Sequence, residues 1–411
     1  MPTLLVFYHF FHPDDVVSAR LYSDFAEEQR LRGWDVTVVT SNRSCHDVRV
    51  SLPSVEVWRG MEVRRQFRPP WPQSRALPRL GNSAFLLAGW TWQALRLPPM
   101  DAIVIGSDPA FAALLSLPLR AQRPATPIVH WCFDLYPQAI EAEGLRVARS
   151  LAPVAHGLMK AAYRRCDVLV DIGTTMRARL ATYGSPARQE TLTPWALAES
   201  IVPTPVDPVV RRSLFGDAQL GLLYAGTMGR AHDFEPMLAL ARACRARAGR
   251  RIAFCFACRG NRAAELRAAV EPADDNVTFA DFASEADLAA RLAAADVHLV
   301  SLRREWAGIV VPSKFFASLA MGRPVVYAGP AESEIASWGR SLGVGMHLGA
   351  AADVEPVAAR LVELAACPAA LRRWQEQARA AYFSQFSRKI VNDRWDVLLR
   401  ETVAARALSA R

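Results

Sequence analysis

From the fourth residue onward, short apolar runs alternate with amphipathic helical stretches almost without interruption. Runs at 4–9, 35–40, 102–106, 128–132 and 168–172 are followed by a second series at 220–225, 252–258, 277–280, 296–302 and 324–327. Strands that are apolar throughout, rather than at every second residue, must be covered on both faces, and the intervening helices supply the cover. The pattern therefore predicts an α/β chain with parallel, doubly wound sheets. One such helix, 18–32, closes at Gly33, where a glycine C-cap belongs. The periodicity fails once, over 193–208, where Pro194, Pro203, Pro205 and Pro208 fix φ and remove backbone donors. At 411 residues the chain exceeds what one core usually fills. The prediction is a first Rossmann-like domain over 1–195, a linker over 196–215 and a second Rossmann-like domain over 216–375. A helical stretch over 376–411 is expected to return to the first domain. Each sheet would present its ligand edge at the carboxyl ends of its strands, and the two edges are expected to face each other across a cleft.

Composition narrows the setting. The opening residues lack the basic and apolar regions of an export signal, and no window reaches about 18 uninterrupted apolar residues. Seven cysteines, an odd number without an export signal, fit a reducing cytoplasm better than a disulfide framework. Cys255 and Cys258 have metal-ligand spacing, but they sit inside an apolar run with no second pair to complete a site, so both are expected to be buried thiols. The formal charge of +9 includes one conspicuous basic stretch: Arg59, Arg64, Arg65, Arg68, Arg75 and Arg79 stand against the single acid Glu62, with Phe67 and Trp71 among them. An apolar stretch with Phe85, Trp90 and Trp92 follows. Arginine beside aromatics suits an anionic membrane surface, and a solvated loop before a core helix is the competing reading. Nucleic acid is not an expected partner.

Several chemistries are absent. No G-x-G-x-x-G follows the first strand of either half and no P-loop motif occurs, which removes dinucleotide dehydrogenases and P-loop phosphotransferases. No D-x-D pair offers carboxylates to a metal on a diphosphate, so no metal and no cofactor are expected. Two loops of the second half can neutralise a diphosphate instead. In the first, Gly226 and Gly229 permit close backbone approach and Arg230 offers a planar fork. In the second, Gly308, Ile309 and Val310 lead to Pro312 and Ser313 at a helix start with Lys314 beside it, and the helix ends at Gly322.

The segments YAGTMGRAHDF and VPSKFFASLAMGRPVV, with the opening FYHFFHPDDVVSARLYSDFAEEQRLRGWDVTVVT, resemble the bacterial family-4 glycosyltransferases of polysaccharide assembly, the WbuB-like subgroup in particular. The resemblance runs over essentially the whole chain. It implies a GT-B fold, a nucleotide-sugar donor such as a UDP- or GDP-sugar on the second domain, a glycan or lipid-linked acceptor on the first, and retention of anomeric configuration. Carried over, Gly229 and Arg230 match the phosphate-contacting turn and Lys314 matches the lysine of the helix start. Asp134 falls where relatives place an acidic or histidine side chain near the reacting sugar. His130 competes for that role, although alternation along its strand favours a core position. His12 and Asp14, in the loop after the first strand, are the other acceptor-side candidates.

One departure stands out. Family-4 enzymes usually carry E-x7-E around this helix, and here Ile309 and Ala317 occupy those positions, so ribose binding would fall to Glu305, Ser313 or Ser318. That loss keeps two alternatives open: an inactive GT-B binding subunit, and a GT-B nucleotide-sugar epimerase.

Overall fold

The computed structural model describes residues 1–72, 76–144 and 146–409, so Arg75 lies outside the described residues. The chain forms two compact units, Met1–Thr193 with Val391–Arg411, and Pro194–Ile390.

The first unit is built on eight strands: β1 (Thr3–Phe7), β2 (Asp35–Ser41), β3 (Val55–Trp58), β4 (Met61–Gln66), β5 (Ala102–Gly106), β6 (Ile128–Trp131), β7 (Val168–Asp171) and β8 (Arg188–Thr191). Their order is β3-β4-β2-β1-β5-β6-β7-β8, parallel except for the β3–β4 hairpin. From β1 toward β7 nearly every side chain is buried, as strands covered on both faces require. The hairpin turns on Arg59 and Gly60, both with positive φ (47° and 78°), the backbone that two-residue hairpins demand.

The arginine-rich stretch read as a basic surface is therefore partly interior. Arg65 points inward from β4 and pairs with Glu56 at 2.5 Å and with the His12 carbonyl at 2.7 Å, while Arg68 and Trp90 are fully buried. Trp90 packs on Phe7 and donates to the Thr40 carbonyl. The surface reading keeps Arg59 and Arg64, and these are paired with Glu27 and Glu62. Arg79 bonds Glu143 at 3.3 Å.

The second unit is a six-stranded parallel sheet of β9 (Leu220–Thr227), β10 (Ile252–Arg259), β11 (Val277–Phe279), β12 (Val297–Ser301), β13 (Val325–Ala328) and β14 (Gly345–Leu348), ordered β11-β10-β9-β12-β13-β14. Cys255 and Cys258 are buried in β10, and all seven cysteines are free thiols. The expected linker is not slack chain: Tyr382 donates to Glu199 at 2.6 Å and accepts from the Ala196 N–H at 2.9 Å, and Arg379 bonds the Ser200 and Ile201 carbonyls. Asp207 caps the helix Pro208–Phe215.

The last helix, Arg388–Ser409, begins in the second unit and belongs to the first from Val391 onward. There Trp395 inserts between Phe25 (centroids 5.0 Å apart) and Trp131 (4.7 Å). Around it Arg32 bonds Asp393 at 2.7 Å and Trp34 donates to Asp396 at 2.8 Å.

Candidate active site

In each sheet the winding reverses once, between β1 and β5 in the first unit and between β9 and β12 in the second. Ligands of doubly wound folds sit beyond the strand ends at such a switch point.

At the second unit's switch point, Gly226, next to last in β9, has φ +119°, and a Cβ there would stand 3.0 Å from Lys314 Cε. Glycine is required on both counts, and the Lys314 stem occupies the space it leaves. Lys314 Nζ donates to the Thr227 carbonyl at 2.9 Å, lies 3.4 Å from His232 Nε2 and sits 5.1 Å above the Tyr224 ring. His232 Nδ1 is 2.8 Å from the Ser301 carbonyl, which can only accept, so the ring proton is on Nδ1 and Nε2 turns its lone pair to the ammonium. Burial, and then the Lys314 charge, bring His232 down to about 3, which keeps the ring neutral. Lys314 retains some exposed surface, yet protein surrounds its ammonium and burial lowers it to about 8, partly offset by Cys258. An anion arriving here would offset the cost of that desolvation.

Gly229 lies in open space, with nothing nearer to a Cβ than Thr227 Cγ2 at 4.0 Å, and Arg230 beside it is exposed. Gly308 takes φ +71°. The Ile309 and Val310 N–H groups already donate to the Trp306 carbonyl, at 3.0 and 3.5 Å, and the Ile309 side chain is buried. Ser313 stands at the N-cap of the helix Lys314–Ala320 without a capping hydrogen bond of its own. Ser318, four residues after Lys314, is buried between the Lys314 carbonyl (2.7 Å) and His298 Nδ1 (2.8 Å), so its hydroxyl serves the helix and the core. Glu305 is exposed and pairs with Arg303 at 3.7 Å.

At the first unit's switch point the loops after β1, β5 and β6 converge. His9 Nδ1 donates to Asp108 Oδ2 at 3.1 Å, and the His9 N–H donates to the Asp108 carbonyl at 3.1 Å. Ser107 Oγ accepts from the N–H groups of Phe133 and Asp134, both at 3.1 Å, which fixes the backbone that carries the Asp134 carboxyl. Burial, reinforced by the nearby Asp108 charge, raises Asp134 to about 7. A carboxyl poised there exchanges protons at neutral pH. His12 stacks on Trp58 at 4.7 Å, and burial lowers its pKa. Asp14 is buried and accepts from the Cys45 N–H at 2.8 Å. His130 is a core residue: buried, with Nδ1 on the Ile105 carbonyl at 2.9 Å and its pKa lowered by burial to about 4.

Asp15, Cys45 and His46 bring possible ligand atoms within 4.8 Å of one another. Burial, and then Asp14, push the Cys45 thiol up to about 12, where a thiolate ligand is disfavoured.

Sequence reasoning missed His9, Asp108 and His232. His9 and Asp108 are 99 positions apart and meet because β1 and β5 are neighbours. His232 lies inside the quoted loop, and its partner Ser301 is 69 positions away on β12.

Residues 19–196 match the glycosyl transferase 4-like domain and residues 220–366 match the glycosyl transferases group 1 domain. No curated protein matches the chain in sequence. Among solved structures, sucrose-phosphate synthase from Thermosynechococcus elongatus is similar at a TM-score of 0.72 and 16% identity, over 98% of this chain and 100% of that one. Anabaena HepE in complex with UDP-glucose is similar at 0.63 and 16%, over 98% and 99% of the two chains. WaaG, a glycosyltransferase involved in lipopolysaccharide biosynthesis, is similar at 0.64 and 17%, over 96% and 99%. With both halves matching glycosyltransferase domains on the two-sheet fold that such enzymes share, the chain belongs to the group 1 and group 4-like glycosyltransferases of GT-B architecture.

Proposed function

We propose that the chain is a retaining, metal-independent glycosyltransferase. It moves a sugar from a UDP- or GDP-sugar to a glycan or lipid-linked acceptor in surface polysaccharide or glycoconjugate assembly, as the WbuB-like pattern of its motifs suggests. The observation that carries this reading is Lys314, a desolvated ammonium held across the end of β9 in the space that Gly226 leaves, at the switch point of the group 1 domain. There it would meet the donor diphosphate and, with Arg230, stabilise the negative charge that develops as the nucleotide leaves. The departing phosphate accepts the acceptor hydroxyl's proton on the same face, so no protein nucleophile is needed. Asp134 orients the reacting sugar, and Ser313 and Glu305 are the groups near the helix start left to meet the ribose. HepE, solved with UDP and with UDP-glucose, supports a uridine donor.

The test is nucleotide binding as a function of pH. The ammonium is fully charged below about 8 in the empty site, and a bound diphosphate raises its pKa, so binding above 8 must take up a proton. UDP affinity should change little between about pH 7, where the diphosphate is largely ionised, and pH 8, and weaken above 8 by up to about tenfold per unit. The nucleotide-free protein should respond oppositely. Its Lys314 is lowered from the ordinary 10.5, so between 8 and 10.5 the unfolded chain holds more protons and folding gains stability as pH rises. Lys314→Met should remove both slopes. A panel in which neither UDP nor GDP raises the melting temperature at any pH would favour the inactive binding subunit.

The acceptor side carries an exposed aromatic group that supports peripheral attachment to an anionic membrane. Phe67, Trp71, Phe85 and Trp92 are 50%, 42%, 49% and 53% exposed, with Phe85 in edge contact with both Phe67 and Trp71. Arg43 lies over Phe67 and Arg96 over Trp92. Aromatic rings with guanidinium groups beside them suit a headgroup layer. Wild-type protein should sediment with anionic vesicles at low salt, and Phe85→Ser with Trp92→Ser should weaken this about tenfold. Indifference of the wild type to such vesicles would point to a soluble acceptor.

A further inference from the structure

Arg68 follows β4 at the carboxyl edge of the first sheet and is 0% exposed, and none of its three guanidinium nitrogens has a hydrogen-bond partner among the described residues. Its backbone is well fixed: the N–H donates to Asn42 Oδ1 at 2.9 Å and the carbonyl accepts from Arg43 Nε at 3.2 Å. The charged end is what lacks an answer. Asp108 and Asp14 lie near enough to favour the charge and Arg43 near enough to oppose it, yet burial outweighs them and lowers the arginine's pKa. A buried charge left unpaired is costly, so a fold that keeps one carries it for something that binds.

A second unanswered group shares a neighbour with it. His9 Nε2 is buried without a partner among the described residues, while its Nδ1 is held by Asp108. The Phe10 ring links the two, stacked on His9 at 3.9 Å with the Arg68 guanidinium 5.7 Å from its centre. Between the ends of β1 and β4 runs the end of β2, whose Thr40 and Ser41 both donate to the His9 carbonyl. Two buried nitrogen groups, one a permanent cation and one able to take a proton, thus share one aromatic plate at the ligand edge of the sheet.

We propose that Arg68 and His9 form an oxyanion subsite in the first unit, which receives a phosphate or carboxylate carried by the acceptor. Resting on the transferase reading, this names an acceptor chemistry that the donor cradle at Lys314 does not. The guanidinium fork fits two oxygens of such a group, and His9 Nε2, once protonated, donates to a third or bridges to the same one. Asp108 holds the imidazolium in place by its Nδ1–H.

The test uses the full chain with saturating UDP, so that the diphosphate cradle is already filled, and adds inorganic phosphate in one arm and glucuronate in the other. The wild type should melt higher with the anion that matches its acceptor, phosphate or carboxylate, and with neither potassium chloride nor glucose. Arg68→Met should lose this response while keeping protection by UDP. Arg68→Lys keeps the charge without the fork, should fold in any case, and should weaken the anion's apparent affinity by about tenfold. No response of the wild type to either anion, or a full response in Arg68→Lys, overturns the subsite. Loss of UDP protection in the wild type would instead sink the transferase reading and leave the anion result to stand by itself.

Discussion

Lys314→Ala is expected to lower turnover by about two to three orders of magnitude, the usual scale for removing a group that meets charge formed in the transition state. The protein should fold at least as well without the ammonium. The wild-type side chain is desolvated enough to be pulled down to about 8, and its one strong protein contact is a single carbonyl, that of Thr227. Alanine therefore removes an unfavourable burial along with one hydrogen bond. His232 would lose the cation opposite its Nε2 and titrate closer to its ordinary range, since the Lys314 charge is the second cause of its lowering. Turnover measured against a circular-dichroism melt separates the two effects. Activity within about threefold of wild type would remove Lys314 from the chemistry, and a large loss of melting temperature would make it structural. Arg230→Ala should act in the same direction, and the double variant need not be additive if both meet one diphosphate.

Trp395→Ala carries the largest expected cost to stability, about 3–5 kcal/mol for emptying a fully buried tryptophan site. The loss falls on the first unit. Trp395 touches Phe25 from one helix and Trp131 from β6, and Trp131 in turn packs at a tilt against Tyr22 and Phe133, 4.7 Å from each. Phe133 immediately precedes Asp134, so a cavity there loosens the backbone that presents the carboxyl. Calorimetry is the right measurement, because a two-unit chain need not melt in one step. One transition should move down while the other stays, and nucleotide protection should follow the one that stays. Trp395→Phe should recover most of the loss. A shift under about 1 kcal/mol in the alanine variant would mean that the terminal helix rests on the unit without being part of its core.

The sheets were legible in sequence for a physical reason: strands covered on both faces are apolar at every position, so β1, β5, β6 and β7 announce themselves. The hairpin β3–β4 was not, because it lies at the edge and alternates, with the polar Glu62, Arg64 and Gln66 at every second position and the charged Arg65 on the buried face between them. Without that strand, Arg65 and Arg68 read as surface charges. Lys314 and Gly226 could be picked out because each stands in a short motif with its own chemistry. That they touch follows from the return of the helix Lys314–Ala320 to the end of β9, and no local spacing reports it. Ser318 failed as a ribose candidate for a related reason, since a hydroxyl four residues after Lys314 finds the helix carbonyl and His298 first. His9 and Asp108 form a pair only because a switch point brings the first and fifth strands side by side.

The first unit is not a continuous piece of chain, since its core includes a helix that follows the whole of the second unit. On the ribosome the second unit can close as soon as it emerges, whereas the first waits with Phe25 and Trp131 uncovered until Trp395 has been made. The half translated earlier is thus completed later, and a fragment ending at residue 193 carries an open aromatic socket that would draw chaperones or other copies of itself.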